Sequence, residues 1–306
     1  MTTIQNQNFG VEIELTGITR TDAAKIIAKH YGTNRVETSY DYYSSRYAID
    51  TKGRRWRCMS DGSITCQMKV NGRTISASKE YSCEVVTPIL QYNDLDDLQQ
   101  IVRELREAGA IANSSCGIHV HVDGANHTAD SLTRLMNFAI GRQDLFYEAL
   151  QIGARADRWC HKINKTLLNK MKSDTEKTKD SMEHIWYSPA NDGYSGGIDH
   201  QHYNSTRYHG INLHAFFTKG TVEFRLFNGT THAGKIKAYV QFCLAMSAWA
   251  INAEDKMYYK TIPNYTQAQK KALMNRVLTL RLGMVGPEFK TARLHLTAAF
   301  DEASAA

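Results

Sequence analysis

The chain has 306 residues, of which 42% are hydrophobic and 22% are charged, a composition typical of a globular protein with one large core or two smaller ones. Its formal net charge of +6 is too small to indicate nucleic-acid binding. No stretch approaches the roughly 20 apolar residues of a membrane helix, the N-terminus lacks signal-peptide features, and the six cysteines have no metal-type spacing. We therefore expect a cytoplasmic protein without a membrane or nucleic-acid partner.

The first predicted strand, Phe9–Leu15, alternates apolar residues with Glu12 and Glu14. Two interpretations of these glutamates remain open from this segment alone. They form either a solvated strand face or a pair of carboxylates directed together at a hard cation, which prefers oxygen ligands. A helix is expected next, with Thr21 as its cap and its end at about Tyr31.

Residues 40–60 are rich in tyrosine, serine and arginine and end in the run Arg54-Arg55-Trp56-Arg57. A basic aromatic cluster of this kind can stack a base or hold phosphates. The commoner structure is a hairpin at the rim of a sheet, and we favour it here. The Asn71-Gly72 pair predicts a second hairpin over residues 64–78.

Tyr81–Leu90 is predicted as a strand that Pro88 ends, and a helix with one apolar side is expected from Asp94. Glu84 is a single acid among the apolar residues of this strand. Glutamate is seldom fully buried without a partner, so Glu84 is expected to be either an edge residue or a ligand.

Two histidines mark the next predicted strand, which lies within Ser114–Gly124. Because a strand repeats every two residues, His119 and His121 point to the same face. Alone, the pair indicates a metal or phosphate site. Thr128 is expected to cap a helix whose apolar side belongs to the core.

The pattern weakens between Ala154 and Arg207, a segment that includes the lysine-rich stretch Lys162–Lys179 and the glycine-rich stretch Asn191–Gly197. We expect a mobile excursion here. It is either a lid over a site or a solvated insertion, which is the commoner case.

Clear hydrophobic patterns reappear in the last part of the sequence. Thr221–Asn228 is predicted as a strand with Glu223 and Arg225 on one face, followed by a helix over about 232–251. Thr266 and Gln269 form a predicted capping box, and 289–300 is expected to be a last helix.

Three predicted strands thus carry polar pairs at positions i and i+2, and a fourth carries Glu84. Carboxylates with an imidazole suit Mg²⁺ or Mn²⁺, whereas structural zinc favours closed Cys/His sets. Such ions usually act on phosphate while arginine neutralises the remaining charge. The residues alone therefore predict a divalent-metal enzyme of phosphoryl or carboxyl chemistry.

Six short motifs occur in a fixed order between about residues 8 and 250: F-G-V-E-I-E, D-G-S, E-V-V-T-P, G-I-H-V-H-V-D, R-Y-x-x-I-N-L and T-V-E-F-R. In this order they resemble the putative amidoligase family, carboxylate–amine ligases related to glutamine synthetase and γ-glutamylcysteine synthetase. The resemblance implies an α+β fold with a glutamine-synthetase-like curved antiparallel sheet flanked by helices. It further implies a catalytic domain over 1–255, with an insertion at about 154–206, and a helical C-terminal extension over 256–306.

The resemblance also implies roles for individual residues. The implied metal ligands are Glu12, Glu14, Glu84, His119 and Glu223. The residues implied at ATP are His121, Arg207 and Asn212, and those implied in catalysis are Arg225, Arg207 and Glu223. Asp61 of the D-G-S motif is left as substrate-side or architectural.

The implied reaction uses ATP and Mg²⁺ or Mn²⁺. It joins a small-molecule or peptide carboxylate to an amine through an acyl phosphate, giving an amide or isopeptide bond. The resemblance also allows a partner amidotransferase or other modification enzyme. Two alternatives stay open: a metal-dependent phosphohydrolase or nuclease, and a catalytically inactive nucleotide-binding regulatory protein on the same fold.

Overall fold

A computed structural model describes residues 1–254 and 264–302. The strands are β1 (Phe9–Leu15), β2 (Val36–Thr38), β3 (Arg46–Ile49), β4 (Arg55–Met59), β5 (Gln67–Val70), β6 (Arg73–Ser76), β7 (Cys83–Val86), β8 (Gly117–Asp123), β9 (Ile211–Asn212) and β10 (Thr221–Asn228). The α-helices are α1 (Arg20–His30), α2 (Leu95–Glu107), α3 (Ala129–Ile140), α4 (Gln143–Ala149), α5 (Lys165–Ser173), α6 (Lys179–Trp186), α7 (His214–Lys219), α8 (Ala233–Asn252), α9 (Gln267–Arg276), α10 (Lys290–Thr297) and α11 (Ala299–Glu302). Short helical turns span Lys79–Tyr81, Tyr92–Asp94, Gly153–Asp157, Ser205–Arg207 and Val277–Arg281.

A large antiparallel sheet contains eight strands in the hydrogen-bonded order β2-β3-β4-β7-β1-β8-β10-β9, and β5 and β6 form a separate two-stranded sheet. Helices flank the large sheet, and further helices follow at the C-terminus. The predicted α+β class is therefore confirmed. None of the described helices is long and apolar enough to span a membrane.

The chain divides into two compact units. The N-terminal unit consists of Asn8–Val120 and Phe227–Val240. The C-terminal unit consists of Met1–Gln7, His121–Leu226 and the described residues from Gln241 onwards.

In the N-terminal unit, the two faces of the sheet differ in burial. On β4, Trp56 and Cys58 are fully buried on the side of α1, whereas Arg57 is only half-buried. The same alternation on β1 buries Val11 and Ile13. One face therefore forms the core of this unit, because its apolar side chains are removed from water, and the other face carries the polar residues.

Two predictions about local structure in the N-terminal unit have clear outcomes. The Asn71-Gly72 hairpin is confirmed: it joins β5 to β6, and both residues have positive φ angles of 49° and 77°, as the tight hairpin turn requires. The predicted cap of α1 was wrong by two residues. Thr19, not Thr21, accepts a hydrogen bond from the backbone N–H of Asp22 and so satisfies a free donor of the first turn.

In the C-terminal unit, the segment with no clear sequence pattern contains α5 and α6. Their apolar sides are buried, including Leu167, Met171 and Trp186. The Lys172 ammonium donates a hydrogen bond to the Asn137 side chain on α3. These two helices are thus packed into the unit. The sequence did not reveal this packing, because the helices are short and polar turns interrupt them.

The described C-terminal elements are helical, as the sequence analysis predicts. The Thr266–Gln269 capping box is present at the start of α9. The predicted last helix appears as two helices, α10 and α11, that break at Ala298. The predicted domain boundary at 255/256 lies outside the described residues and stays a prediction.

Candidate metal centre

In the N-terminal unit, strand pairing brings the predicted metal ligands together. Glu12 and Glu14 alternate on β1, and the register places Glu14 directly opposite Glu84 of β7. Residues directly opposite each other in antiparallel strands share one face, so these carboxylates lie side by side. His119 of β8 contacts both glutamates of β1.

Two groups of three ligand-type side chains form here, and we call their members together the carboxylate cluster. One group is Glu12, Glu84 and His119, and the other is Glu14, Asp61 and Glu84. Within each group, one ligand atom from every residue lies within 4.8 Å of the others. Glu84 belongs to both groups, so the two candidate ligand sets share a carboxylate.

The His119 ring is held between two carboxylates. Its Nδ1 lies 3.0 Å from Glu12 Oε2, and its Nε2 lies 3.8 Å from Glu14 Oε1. Glu14 Oε2 also accepts the backbone N–H of Gly117 at 2.6 Å. A histidine that ligates a metal usually donates its other ring nitrogen to a carboxylate, which fixes the ring. The Glu12 contact gives His119 this orientation, with Nε2 on the side of Glu14.

Asp61 was not assigned to metal from the sequence. The turn that carries it is fixed by Ser82, whose Oγ accepts the Asp61 backbone N–H at 2.9 Å and donates to the Asp61 carbonyl at 2.6 Å. Its carboxylate accepts the Ser63 N–H and reaches Glu14 and Glu84. The D-G-S turn signals a loop, but only the chain path brings that loop to β1 and β7.

The donor set of the carboxylate cluster fits a hard divalent cation. Glu14, Glu84 and His119 are each less than 10% exposed. Carboxylates packed together in low dielectric repel one another strongly unless a positive charge lies among them. Oxygen donors with a single imidazole are the ligands that Mg²⁺ or Mn²⁺ prefers.

In the C-terminal unit, a tight turn leads into β10 and its polar residues. Gly220 ends α7 with a φ of 74°, a left-handed conformation that favours glycine. The Gly124 N–H donates to the Gly220 carbonyl at 2.9 Å. Because of the turn at Gly220, the chain passes directly from α7 into β10, the strand that carries Glu223 and Arg225.

Glu223 is held from two sides, and we call His121, Asn212, Glu223 and Arg225 the Glu223 group. Asn212 Nδ2 donates to Glu223 Oε2 at 2.6 Å, and Arg225 Nη1 donates to Oε1 at 2.6 Å. His121 Nε2 lies 3.7 Å from the same Oε1. Bonds to charged groups are the stronger kind, so the carboxylate has a fixed orientation.

Asn212 and Arg225 are buried and engaged within the protein. Asn212 is 1% exposed; its Oδ1 accepts the His214 N–H at 2.8 Å, and its Nδ2 is bound to Glu223. Arg225 Nε donates to the Trp159 carbonyl at 3.3 Å. In this arrangement Asn212 orients its neighbours, and its predicted contact with ATP stays a prediction.

A comparison with known protein families shows the family to which the chain belongs. A family model described as putative amidoligase enzyme matches residues 5–247, about four fifths of the sequence. The chain belongs to the putative amidoligase enzyme family. A search of curated proteins found no match.

Family membership indicates an enzyme of ligase type. Both residue groups lie within the matched segment, whereas α9, α10 and α11 lie beyond it. The strands that carry the two groups therefore belong to the family domain.

Within the described residues, Arg207 contacts a backbone carbonyl and two tyrosine rings and not a member of the Glu223 group. It ends the helical turn Ser205–Arg207 and donates Nη1 to the His202 carbonyl at 2.8 Å. Its guanidinium lies within 6 Å of the ring centroids of Tyr203 and Tyr208. Its predicted role at phosphate stays a prediction.

Sequence analysis missed His214 and Tyr187, which adjoin the Glu223 group. The Tyr187 hydroxyl lies 2.6 Å from His214 Nδ1. Burial, together with the charge of Arg207, lowers the pKa of His214 to about 4, so this imidazole is neutral at pH 7. The sequence I-N-L-H contained a signal for His214, because this histidine follows the predicted site residue Asn212 by two positions.

Proposed function

We propose that this amidoligase is an ATP- and Mg²⁺- or Mn²⁺-dependent carboxylate–amine ligase. In the proposed reaction, a substrate carboxylate attacks the γ-phosphate of ATP and gives an acyl phosphate and ADP. An amine then attacks the acyl carbon, phosphate leaves, and the amine proton passes to water or to a base. The product is an amide or isopeptide bond.

The carboxylate cluster carries this proposal. Glu12, Glu14, Asp61, Glu84 and His119 would hold the divalent cations, and Glu223 would be a further ligand. Cations bound there would supply positive charge at the phosphate oxygens that carry negative charge during transfer.

The arginines serve the same reaction in this proposal. Arg225, fixed by Glu223 and the Trp159 carbonyl, would stabilise the charge on the transferred phosphoryl group or the substrate carboxylate. Arg207 and His121 would bind the ATP phosphates. His119 and His121 lie two positions apart on β8, which supports their serving one nucleotide.

The substrates and partners of the reaction are proposed only by their chemical class. The acyl substrate is a small-molecule or peptide carboxylate, and the second substrate is an amine. A partner amidotransferase or modification enzyme would supply or use these groups.

The first test compares wild type with Glu84→Gln, because Glu84 belongs to both triads of the cluster. ADP release is measured with ATP and Mg²⁺, using mixtures of carboxylates with and without amines. We expect release to require both a carboxylate and an amine. Glu84→Gln should lower kcat by about 100-fold or more, because the metal site loses a charged ligand.

Glu107→Gln is the matched control, since Glu107 is an exposed residue at the end of α2; its turnover should equal that of wild type. Nucleotide turnover that proceeds equally without amine would favour a phosphohydrolase. Binding of ATP·Mg²⁺ in calorimetry without any turnover would favour the nucleotide-binding regulatory alternative. Equal kcat in wild type and Glu84→Gln would remove the metal assignment.

A further inference from the structure

A row of residues leads across the sheet of the N-terminal unit from the carboxylate cluster to Arg57. The register pairs Glu12 with Val86, Val86 with Arg57, and Arg57 with Tyr47. Because directly opposed residues share a face, these four side chains lie on the face that carries the cluster. The basic aromatic run of the sequence thus adjoins the candidate metal centre.

This face is accessible at Arg57. Its side chain is 30% exposed, whereas its neighbours on β4, Trp56 and Cys58, are fully buried on the opposite face. The two faces of the strand therefore differ in environment, because one is packed in the core and the other is partly open to solvent. The Arg57 face is available to a ligand.

The spacing between Arg57 and the cluster follows from the strand order. Neighbouring strands lie 4.7–4.9 Å apart, so the Cα atom of Arg57, which lies two strands from β1, is about 10 Å from the Cα atom of Glu12. Val86, short, apolar and partly exposed, lies between them. The row thus begins at the metal-type ligands of the carboxylate cluster, continues over the apolar Val86 and ends at Arg57.

The Arg57 guanidinium is held in place with N–H groups to spare. Nε donates to Ser45 Oγ at 2.9 Å, Nη2 donates to Asp41 Oδ2 at 2.9 Å, and Ser45 Oγ donates to the same carboxylate oxygen at 2.8 Å. The Tyr43 ring centroid lies 5.4 Å from its Cζ. Within the described residues Nη1 makes no hydrogen bond, so a fixed donor is open to solvent.

We infer that Arg57 binds a second anionic group of the acyl substrate, whose reacting carboxylate lies at the carboxylate cluster. This inference rests on the proposed function. It defines the substrate as an aliphatic acid with a further carboxylate or similar anion, and with its methylene chain over Val86. A guanidinium braced on one side presents its remaining N–H groups in a planar fork that matches a carboxylate.

The test measures hydroxamate formation from ATP, Mg²⁺ and hydroxylamine. The acids are succinate, glutarate and adipate, with butyrate as the monocarboxylate. We expect one of the dicarboxylates to be preferred to butyrate. Arg57→Ala should raise the KM for that acid by about 10- to 100-fold with a much smaller change in kcat, and Arg57→Lys should recover part of the loss, because it keeps the charge without the fork.

Arg46→Ala is the matched control. Arg46 binds the carbonyls of Ser44 and Ser45 in the same loop, but its register partner is the buried Cys58, so it belongs to the opposite face. Its KM for the acid should equal that of wild type. Calorimetric titration with the preferred dicarboxylate, in the presence of ADP and Mg²⁺, should show the same loss of affinity in Arg57→Ala alone.

Three outcomes would overturn the inference: an equal KM for the acid in wild type and Arg57→Ala, a preference for butyrate, or neither turnover nor binding of any dicarboxylate. In each case, retained binding of ATP·Mg²⁺ leaves the proposed function standing. Loss of ATP·Mg²⁺ binding by wild type would instead show that the proposed function itself has failed.

Discussion

At the residue scale, the orientation of Glu223 depends on Asn212. The amide of Asn212 joins the Glu223 carboxylate to the backbone N–H of His214, and all of these groups are buried. A buried polar group that loses its partner costs free energy, because water cannot replace the lost bond. Asn212 is therefore a positioning residue in this structure.

Asn212→Ala should lower the free energy of unfolding by about 1–3 kcal/mol, because it removes one hydrogen bond from each of two buried groups, the Glu223 carboxylate and the His214 backbone N–H. Denaturant titration measures this change. Asn169→Ala, at an exposed position of α5, should stay within about 0.5 kcal/mol of wild type. Equal stabilities of the two variants would show that the Asn212 amide does not hold the group together.

At the element scale, Arg54 ties the β3–β4 hairpin to the start of α2. Its Nε donates to Asp50 Oδ2 at 2.7 Å, and its Nη1 and Nη2 donate to Asp94 at 2.9 and 3.2 Å. The Asp50 side chain is 0% exposed. Arg54 also holds the pKa of Asp94 down at about 2, against the effect of burial. The run that the sequence presents as one basic cluster thus contains a structural arginine beside the ligand-facing Arg57.

Arg54→Met should lower the free energy of unfolding by about 3 kcal/mol or more, because it leaves a buried carboxylate uncompensated. Arg55→Met is the control, since Arg55 is exposed and pairs with the exposed Glu37. Its effect should be at most about 1 kcal/mol. Thermal unfolding at constant pH compares the two, and a similar shift in both would argue against the buried network.

Segments with a clear hydrophobic period were predicted closely, whether strands or helices, and the helix expected over about 232–251 is α8. The bounds of β1 and β10 match the sequence analysis, because strict alternation of apolar and polar residues is a local signal with a period of two. The predicted strand Tyr81–Leu90 shortened to β7. Its ends lie beside a helical turn and Pro88, which has no N–H for a ladder bond.

At the scale of the whole molecule, buried neutral histidines should make stability depend on pH. His127 is 8% exposed, and its ring nitrogens lie 2.9 Å from Ser131 Oγ and 2.9 Å from Ser247 Oγ. Burial, assisted by Arg134, lowers its pKa to about 4. Burial likewise lowers the pKa of His209 to about 4.

A lowered histidine pKa means that the unfolded chain binds more protons than the folded protein below pH 6.5. Stability should therefore be complete above about pH 6.5 and fall as the pH decreases towards 4, by up to about 3 kcal/mol for each histidine. Urea unfolding at pH 7, 5.5 and 4.5 measures the slope. His127→Gln should flatten it, and an unchanged slope would contradict the role of His127.

From the sequence alone we could predict strands such as β1 and β10, and which side chains share a face of one strand, because both depend on local periodicity. The fold class and the family followed from the order of the motifs, through their resemblance to a known family. Only the tertiary structure decided that Asp61 joins Glu84, that Asn212 braces Glu223 and that Arg57 lies in the row of Glu12. Each of these depends on pairing between distant segments, and a register shift of one residue would move every side chain of a strand to the other face.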